Sequence, residues 1–247
     1  MRSAPLISFV IPAYNEERGI AACLETVRRA CDDRCEVIVV DNNCTDATAA
    51  VAAKWADRVI PCADQGISAA RNSGAAEARG EWIAFVDADA RLCPGWLQSA
   101  RPFLSEEKTD AVSGWNFFRE RNPVLFPYFN GYNVVFFAGF LLGLLFGKRL
   151  VVGNNLVIRR ETLLAAGGFP RFVGEDVKLS AILQKMRAGT KFSPRMRIGY
   201  SSRRLRSLGF WKTMALWIRS VARDIPETDY RIDYHTTAPA ARPLRTP

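Results

Sequence analysis

A single histidine, His235, stands in a chain of 247 residues, and none of the six cysteines forms a Cys-x-x-Cys pair. So few nitrogen and paired sulfur donors argue against a zinc site. Cys23, Cys31, Cys35, Cys44, Cys62 and Cys93 all fall early in the chain and read as reduced thiols. Neither Gly-x-Gly-x-x-Gly nor Gly-x-x-x-x-Gly-Lys follows an apolar run, which weakens dinucleotide and P-loop readings. A long apolar leader is also missing: Met1-Arg2-Ser3-Ala4-Pro5 runs straight into a strand-like stretch, so secretion is not expected. Acidic residues are in deficit, 25 Asp and Glu against 34 Lys and Arg, for a net charge of +9. That excess favours an anionic partner such as acidic lipid or a phosphorylated substrate. The positive charge gathers in the carboxyl-terminal third without a nucleic-acid reader motif, so no nucleic-acid partner is expected.

What is present is a succession of apolar runs with polar exits. Gly80-Glu81-Trp82-Ile83-Ala84-Phe85-Val86 reads as a strand buried on both faces and ends in Asp87-Ala88-Asp89. In extended geometry the two carboxylates emerge on one face, and a buried pair of this kind needs a cation or a proton. Magnesium or manganese, sharing oxygens with a ligand's phosphates, suits that need; taken alone the pair also fits a solvated turn. Leu6-Ile7-Ser8-Phe9-Val10-Ile11-Pro12 and Glu36-Val37-Ile38-Val39-Val40 are two further strands, each followed by a helical pattern, over 19–30 and 47–55. Strands alternating with helices imply a parallel sheet whose ligands gather at the carboxyl ends of the strands. Pro12-Ala13-Tyr14, Asp41-Asn42 and Asp87-Ala88-Asp89 stand at such ends and form a candidate crevice, with Glu16 and Asn43 just beyond them as further binding candidates. Asp41 is placed to accept hydrogen bonds from a base N–H or a ribose hydroxyl, while Thr45 or Asp46 caps the next helix. Arg71, in the small-residue helix that precedes the Asp-x-Asp strand, offers a planar fork for phosphate or carboxylate; the alternative is a surface salt bridge.

Four of these stretches together carry a resemblance. Val10-Ile11-Pro12-Ala13-Tyr14-Asn15-Glu16-Glu17, Val39-Val40-Asp41-Asn42-Asn43-Cys44-Thr45-Asp46, Ala70-Arg71-Asn72-Ser73-Gly74 and Phe85-Val86-Asp87-Ala88-Asp89 resemble, in order and spacing, the successive signatures of family 2 glycosyltransferases. The resemblance implies the A-type nucleotide-diphospho-sugar transferase fold. It also implies that Asp41 contacts the base, that Asp87 meets the ribose or sugar, and that Asp89 binds a divalent metal on the diphosphate. Asn43-Cys44 departs from the family's frequent Gly-Ser, although Asn tolerates the left-handed backbone such a turn uses. The pattern continues through Gly153-Asn154-Asn155, Arg159-Arg160, Gly167-Gly168-Phe169 and Glu175-Asp176. By the same resemblance Asp176, with Glu175 beside it, is the base that takes the acceptor's proton; without it the pair reads as a decorated helix amino terminus.

The expected fold is α/β, a mostly parallel central sheet flanked by helices, with a catalytic domain over 1–200. Its nucleotide-sugar half is 1–93 and its acceptor half 94–200. An apolar segment, 128–146, is long enough for a bilayer core, yet a single crossing would part Asp89 from Asp176, so it is expected to lie in the interface, re-enter or pack on the domain. Residues 201–224 form a basic amphipathic helix suited to an anionic membrane surface, and 225–247 a flexible tail. Asn154, Asn155, Arg203 and Arg204 are candidates for the acceptor or diphosphate. The combined expectation is a bacterial enzyme on the cytoplasmic face of the membrane. It takes a nucleotide-diphospho-sugar, with UDP preferred, and Mg2+ or Mn2+, and it glycosylates a glycan or lipid-linked hydroxyl with inversion. A nucleotidyltransferase of related fold and a non-catalytic nucleotide or membrane adaptor are the alternatives.

Overall fold

The computed structural model describes residues 7–119, 130–131, 150–203 and 215. Eight strands form one sheet: β1 Ile7–Ala13, β2 Cys35–Asp41, β3 Arg58–Pro61, β4 Trp82–Val86, β5 Arg91–Leu92, β6 Ala111–Phe118, β7 Asn155–Arg159 and β8 Thr190–Tyr200, in spatial order β3-β2-β1-β4-β7-β6-β8-β5. The helices are α1 Ile20–Ala30, α2 Thr48–Ala52, α3 Ile67–Glu77, α4 Trp96–Leu104, α5 Arg160–Ala165 and α6 Glu175–Lys185.

β1 to β4 run parallel to one another, as the strand-helix alternation requires. β2 and β3 lie on one side of β1 and β4 on the other. The chain therefore reverses its direction of travel between β1 and β4, and a parallel sheet opens a crevice at such a point, beyond the carboxyl ends of the strands. Past β4 the sheet becomes mixed. β7 runs antiparallel to both β4 and β6, β6 is parallel to β8, and the short β5 closes the edge antiparallel to β8.

Alternation along the strands sorts the core into two layers. Phe9 and Ile11 of β1 pack with Trp82, Ala84 and Val86 of β4 against α1 and α4. Val10, Ile83 and Phe85 face the opposite layer, with Ala70 and Ala75 of α3 and Leu179 and Leu183 of α6. The small residues of α3 matter for its depth: a Cβ at Gly74 would come within 2.3 Å of Val10 Cγ1, so any larger residue lifts the helix off β1.

Several boundaries differ from the sequence reading. The second helix is five residues, Thr48–Ala52, rather than 47–55. The strand expected from 151 begins at Asn155, after a turn. β8 was not anticipated. Its sequence is strongly basic and holds Pro194, which disfavours a central strand, yet the β6–β8 register jumps there from Gly114–Ser193 to Trp115–Arg197, so no ladder bond is asked of the proline. The apolar segment 128–146, apart from Asn130 and Gly131, lies outside the described residues, as do Arg204, most of the amphipathic stretch and the tail 225–247. Asn130 is anchored to the end of β6, accepting the Phe118 N–H at 2.9 Å and donating to its carbonyl at 3.2 Å. No helix among the described residues is long and apolar enough to cross a membrane.

Candidate active site

β4 ends at Val86, one residue before the carboxylate pair. Asp87 to Ala90 forms a turn, with the Ala90 N–H donating to the Asp87 carbonyl at 2.9 Å. The extended geometry that would have put Asp87 and Asp89 side by side therefore does not persist. Asp87 continues the alternation of Ile83 and Phe85 and faces α3, whereas Asp89 is carried around the turn; both are half-buried. The thiol of Cys23 on α1 donates to the Asp87 carbonyl at 3.4 Å and ties the turn from below.

The residue facing Asp87 is Arg71, which is 2% exposed. Its Nη2 donates to Asp87 Oδ1 at 2.9 Å, and its Nη1 donates to Glu175 Oε1 across a separation of 104 residues. Phe169 lies under the guanidinium, with Cζ 5.1 Å from the ring centroid. Arg71 is thus neither a surface ion pair nor a group with its whole fork turned to a phosphate. Two protein carboxylates hold both ends of it.

Glu175 and Asp176 open α6 behind Gly174, which caps the helix in the left-handed conformation at φ 78°. The Asp176 carboxylate accepts the Gly153 N–H at 3.3 Å and the Val177 N–H at 2.9 Å. Burial, then the Glu175 carboxylate, push the Asp176 carboxyl from the ordinary 3.8 up to about 6, against the pull of Arg71 and of those two N–H groups. Gly153 is fitted between the charged groups. A Cβ there would lie 2.8 Å from Arg71 Nη1 and 3.3 Å from Asp176 Cβ.

On the other wall, Asp41 is the last residue of β2, and its Oδ1 accepts the Cys44 N–H at 2.9 Å. Asn43 takes φ 63°, as its place in the turn requires, and donates to the Ala63 carbonyl at 2.9 Å. Asp46 accepts the Thr48 N–H at 2.9 Å, but it is Ala47 that occupies the cap position of α2, in place of the expected Thr45 or Asp46. Pro12 and Ala13 are buried at the end of β1, and Tyr14 is exposed beyond them. The Glu16 N–H donates to Thr48 Oγ1 at 2.7 Å, and the Thr45 N–H donates to Asn15 Oδ1 at 2.8 Å, which binds the loops after β1 and β2 into one wall. Arg203, from the segment after β8, donates through Nη2 to Glu16 Oε1, and the Asp89 carboxylate also acts on its guanidinium.

Asn154 and Asn155 part company. Asn154 is half-buried, and its Oδ1 accepts from Asn116 Nδ2 at 2.6 Å. Asn155 is fully buried; its Nδ2 serves the Met196 carbonyl at 3.0 Å and Asn116 Oδ1 at 2.9 Å, and its Oδ1 accepts the Trp96 indole N–H at 2.9 Å. It joins β6, β7, β8 and α4 beneath the site. Asn42, read from the sequence only as part of the polar exit after β2, is buried and fastens the loop before α3. Asn42 donates to the Asp64 carbonyl at 2.6 Å and accepts the Gly66 N–H at 2.8 Å. The doubled Asn after Asp41 was its only signal. Gly153 and Phe169 stand within the Gly-Asn and Gly-Gly-Phe stretches of the resemblance, which gives them no role of their own.

The carboxylates fit a divalent ion shared with a ligand better than a protein-only cage. Among the described residues no three His, Cys, Asp or Glu side chains are grouped to hold a metal. Asp89, in a turn at the crevice, is a hard oxygen donor of the kind Mg2+ or Mn2+ takes singly, with phosphate and water oxygens completing the shell.

Residues 8–164 match the profile of glycosyl transferase family 2. A curated relative, glycosyltransferase AglE of Haloferax volcanii, is 30% identical over 188 residues, 70% of this chain and 59% of that protein. The chain spans under two thirds of the length of that relative, and about a third of two Bacillus subtilis glycosyltransferases it also matches. Among solved structures, the mannosyltransferase PcManGT of Pyrobaculum calidifontis, in complex with GDP-Man and Mn2+, superposes with a TM-score of 0.62 at 24% identity, covering 88% of this chain and 65% of that one. Glucosyl-3-phosphoglycerate synthase of Mycobacterium tuberculosis, in complex with Mn2+, uridine-diphosphate and phosphoglyceric acid, superposes with a TM-score of 0.62 at 20% identity, covering 90% and 80%. Both share the fold of this chain.

Proposed function

The chain belongs to glycosyl transferase family 2, and from that premise we propose that it transfers a sugar from a nucleotide-diphospho-sugar to a hydroxyl acceptor, with inversion and with a divalent metal. The observation that carries the reading is the meeting, through Arg71, of the carboxylate end of β4 with the Glu-Asp pair of α6. Donor-side and acceptor-side groups 89 residues apart, Asp87 and Asp176, face one guanidinium.

In this reading Asp41, oriented by the Cys44 N–H, accepts from the donor's base, and Tyr14 and Glu16 line the same wall. Asn43 shapes the turn that presents Asp41. Asp87, held by Arg71, accepts the hydroxyls of the ribose or sugar, with Ala88 leaving room beside it. Asp89 holds the metal, Mg2+ or Mn2+, and the bound ion supplies charge neutralisation at the leaving diphosphate. Arg203 adds a cation beside Glu16 and Asp89, and Arg204 and Asn154 are assigned to the acceptor side. The acceptor oxygen attacks the anomeric carbon, its proton passes to Asp176, and the carbon–oxygen bond to the diphosphate breaks with its electron pair leaving on the nucleotide. Above pH 6 Asp176 is chiefly ionised and able to take that proton. The GDP-Man and UDP complexes of the two fold relatives support a nucleotide-sugar donor and Mn2+ but leave the base open between them.

The acceptor we assign is a glycan or lipid-linked hydroxyl reached from an anionic membrane surface, on the cytoplasmic side. The excess of 34 basic over 25 acidic residues supports the surface. The test is hydrolysis and transfer with a panel of UDP-, GDP- and TDP-sugars, with Mn2+, with Mg2+ and with chelator. Turnover of one donor class that chelator abolishes is the expected result. Metal-independent turnover, or cleavage releasing a nucleoside monophosphate, contradicts it.

A further inference from the structure

Arg71 is the most deeply buried charged side chain among the described residues at 2% exposure, and it comes from α3, which supplies none of the carboxylates it meets. A buried guanidinium is costly unless its donors are paired with charge, and here the pairs come from two different parts of the site. We infer that Arg71 is a positioning residue for the transfer reaction, tying the donor-side carboxylate of Asp87 to Glu175 beside Asp176, and that Glu175 is its anchor rather than a second base. This rests on the assignment of Asp176 as base.

Three observations converge on it. Nη1 and Nη2 are divided between Glu175 and Asp87, so the planar fork fixes the spacing of the two carboxylates in a way a lysine cannot. The Glu175 carboxylate is therefore directed at Arg71, while the adjacent Asp176 takes the Gly153 and Val177 N–H groups. Finally, the surroundings are shaped to this placement: Phe169 lies against one side of the guanidinium, and the Gly153 backbone approaches so closely that a Cβ would come within 2.8 Å of Nη1. Asn72, next to Arg71, fixes Phe169 in turn, accepting its N–H at 2.7 Å and donating to its carbonyl at 2.9 Å.

The chemical consequence is a division of charge around the base. Asp176 faces Glu175 from its own helix, Arg71 from α3 and the backbone of Gly153; Asp87 faces the far side of Arg71. Glu175 disfavours the ionised base and Arg71 favours it, so each is expected to move the acid limb of the rate profile in its own direction. A helix decoration moves neither.

The experiment is the pH profile of kcat/KM for wild type, Glu175→Gln and Arg71→Lys, with carbon-13 NMR titration of the Asp176 carboxyl in donor-free protein. Glu175→Gln keeps an acceptor for Nη1 and is expected to lower the alkaline plateau by about tenfold or less, short of the 10²–10⁴-fold loss of a general base. Its acid limb should move to lower pH by about one pH unit. Arg71→Lys, which retains charge but cannot span both carboxylates, should raise donor KM about tenfold or more. Should Arg71→Lys fail to fold, the Glu175→Gln profile and titration decide alone. Collapse of Glu175→Gln at every pH makes Glu175 the base, and an unmoved profile and titration make it a decoration; either result overturns the inference. If the NMR titration moves as expected while Asp176→Asn keeps full transfer, the coupling stands and the assignment of Asp176 as base falls.

Discussion

Asp176 has two forces against its charge, burial and Glu175, and Arg71 with two backbone N–H groups in its favour. The balance leaves its folded value, about 6, above the ordinary 3.8, so the native state holds a proton that the unfolded chain has already released between those values. The sign follows: the contribution to stability is present below about 3.8 and is lost as pH rises through 6. Asp176→Asn should therefore raise Tm at pH 7.5 and leave it nearly unchanged at pH 4, measured by thermal denaturation at the two pH values. A lower Tm at pH 7.5 would show that the carboxylate is a net support. Asp89 is predicted to fail differently. Asp89→Ala should weaken Mn2+-dependent donor binding at least tenfold in calorimetry, with the metal-free fold intact; unchanged binding removes it from the metal shell. Of these side chains, Asp41, Asp87 and Asp89 are readable as candidates because each follows the end of an apolar run. Asp176 is singled out only by the resemblance, since a Glu-Asp pair at a helix start otherwise reads as a decorated amino terminus. The sequence could not announce what Arg71 does. A helical arginine looks alike whether its partners are solvent, phosphate or a carboxylate 104 residues away.

At the scale of elements, the half from β1 to β4 was legible and the half after it much less so. Parallel strands buried on both faces are written as unbroken apolar runs, so their ends can be read directly. β8 does not show as an apolar run because only scattered positions along it are buried, and Pro194 falls where the register jumps. Asn155 shows the cost of missing that strand: as part of a Gly-Asn motif it looked like an acceptor contact, and only the pairing of β6 with β8 reveals the carbonyl of Met196 beside it. Asn155→Ala would leave the Trp96 indole N–H and the Met196 carbonyl without their partner in a dry interior. We expect destabilisation of about 3 kcal/mol from two such groups, read by urea unfolding. A loss under 1 kcal/mol would mean that water or a shift of β8 replaces the amide.

For the molecule as a whole, the sheet explains why the site has two sources. The reversal between β1 and β4 opens the crevice, and the antiparallel β7 brings Gly153 and then α6 back over it. The net charge of +9 belongs to this scale also. If it serves a membrane surface, the full chain should float with vesicles containing anionic lipid, sediment with neutral ones, and be released by 0.5 M salt, where screening is nearly complete within a few ångströms. Failure to float with anionic vesicles would remove the surface from the account.

The central claim, a donor held at the end of β4 and a base supplied by α6, is tested most directly by one variant measured in two ways. Asp176→Asn, assayed for donor Kd and for transfer kcat on the same preparation, should bind the nucleotide-sugar with Mn2+ within about threefold of wild type while kcat falls roughly 10²–10⁴-fold. Transfer at the wild-type rate, or loss of donor binding in step with kcat, would contradict it.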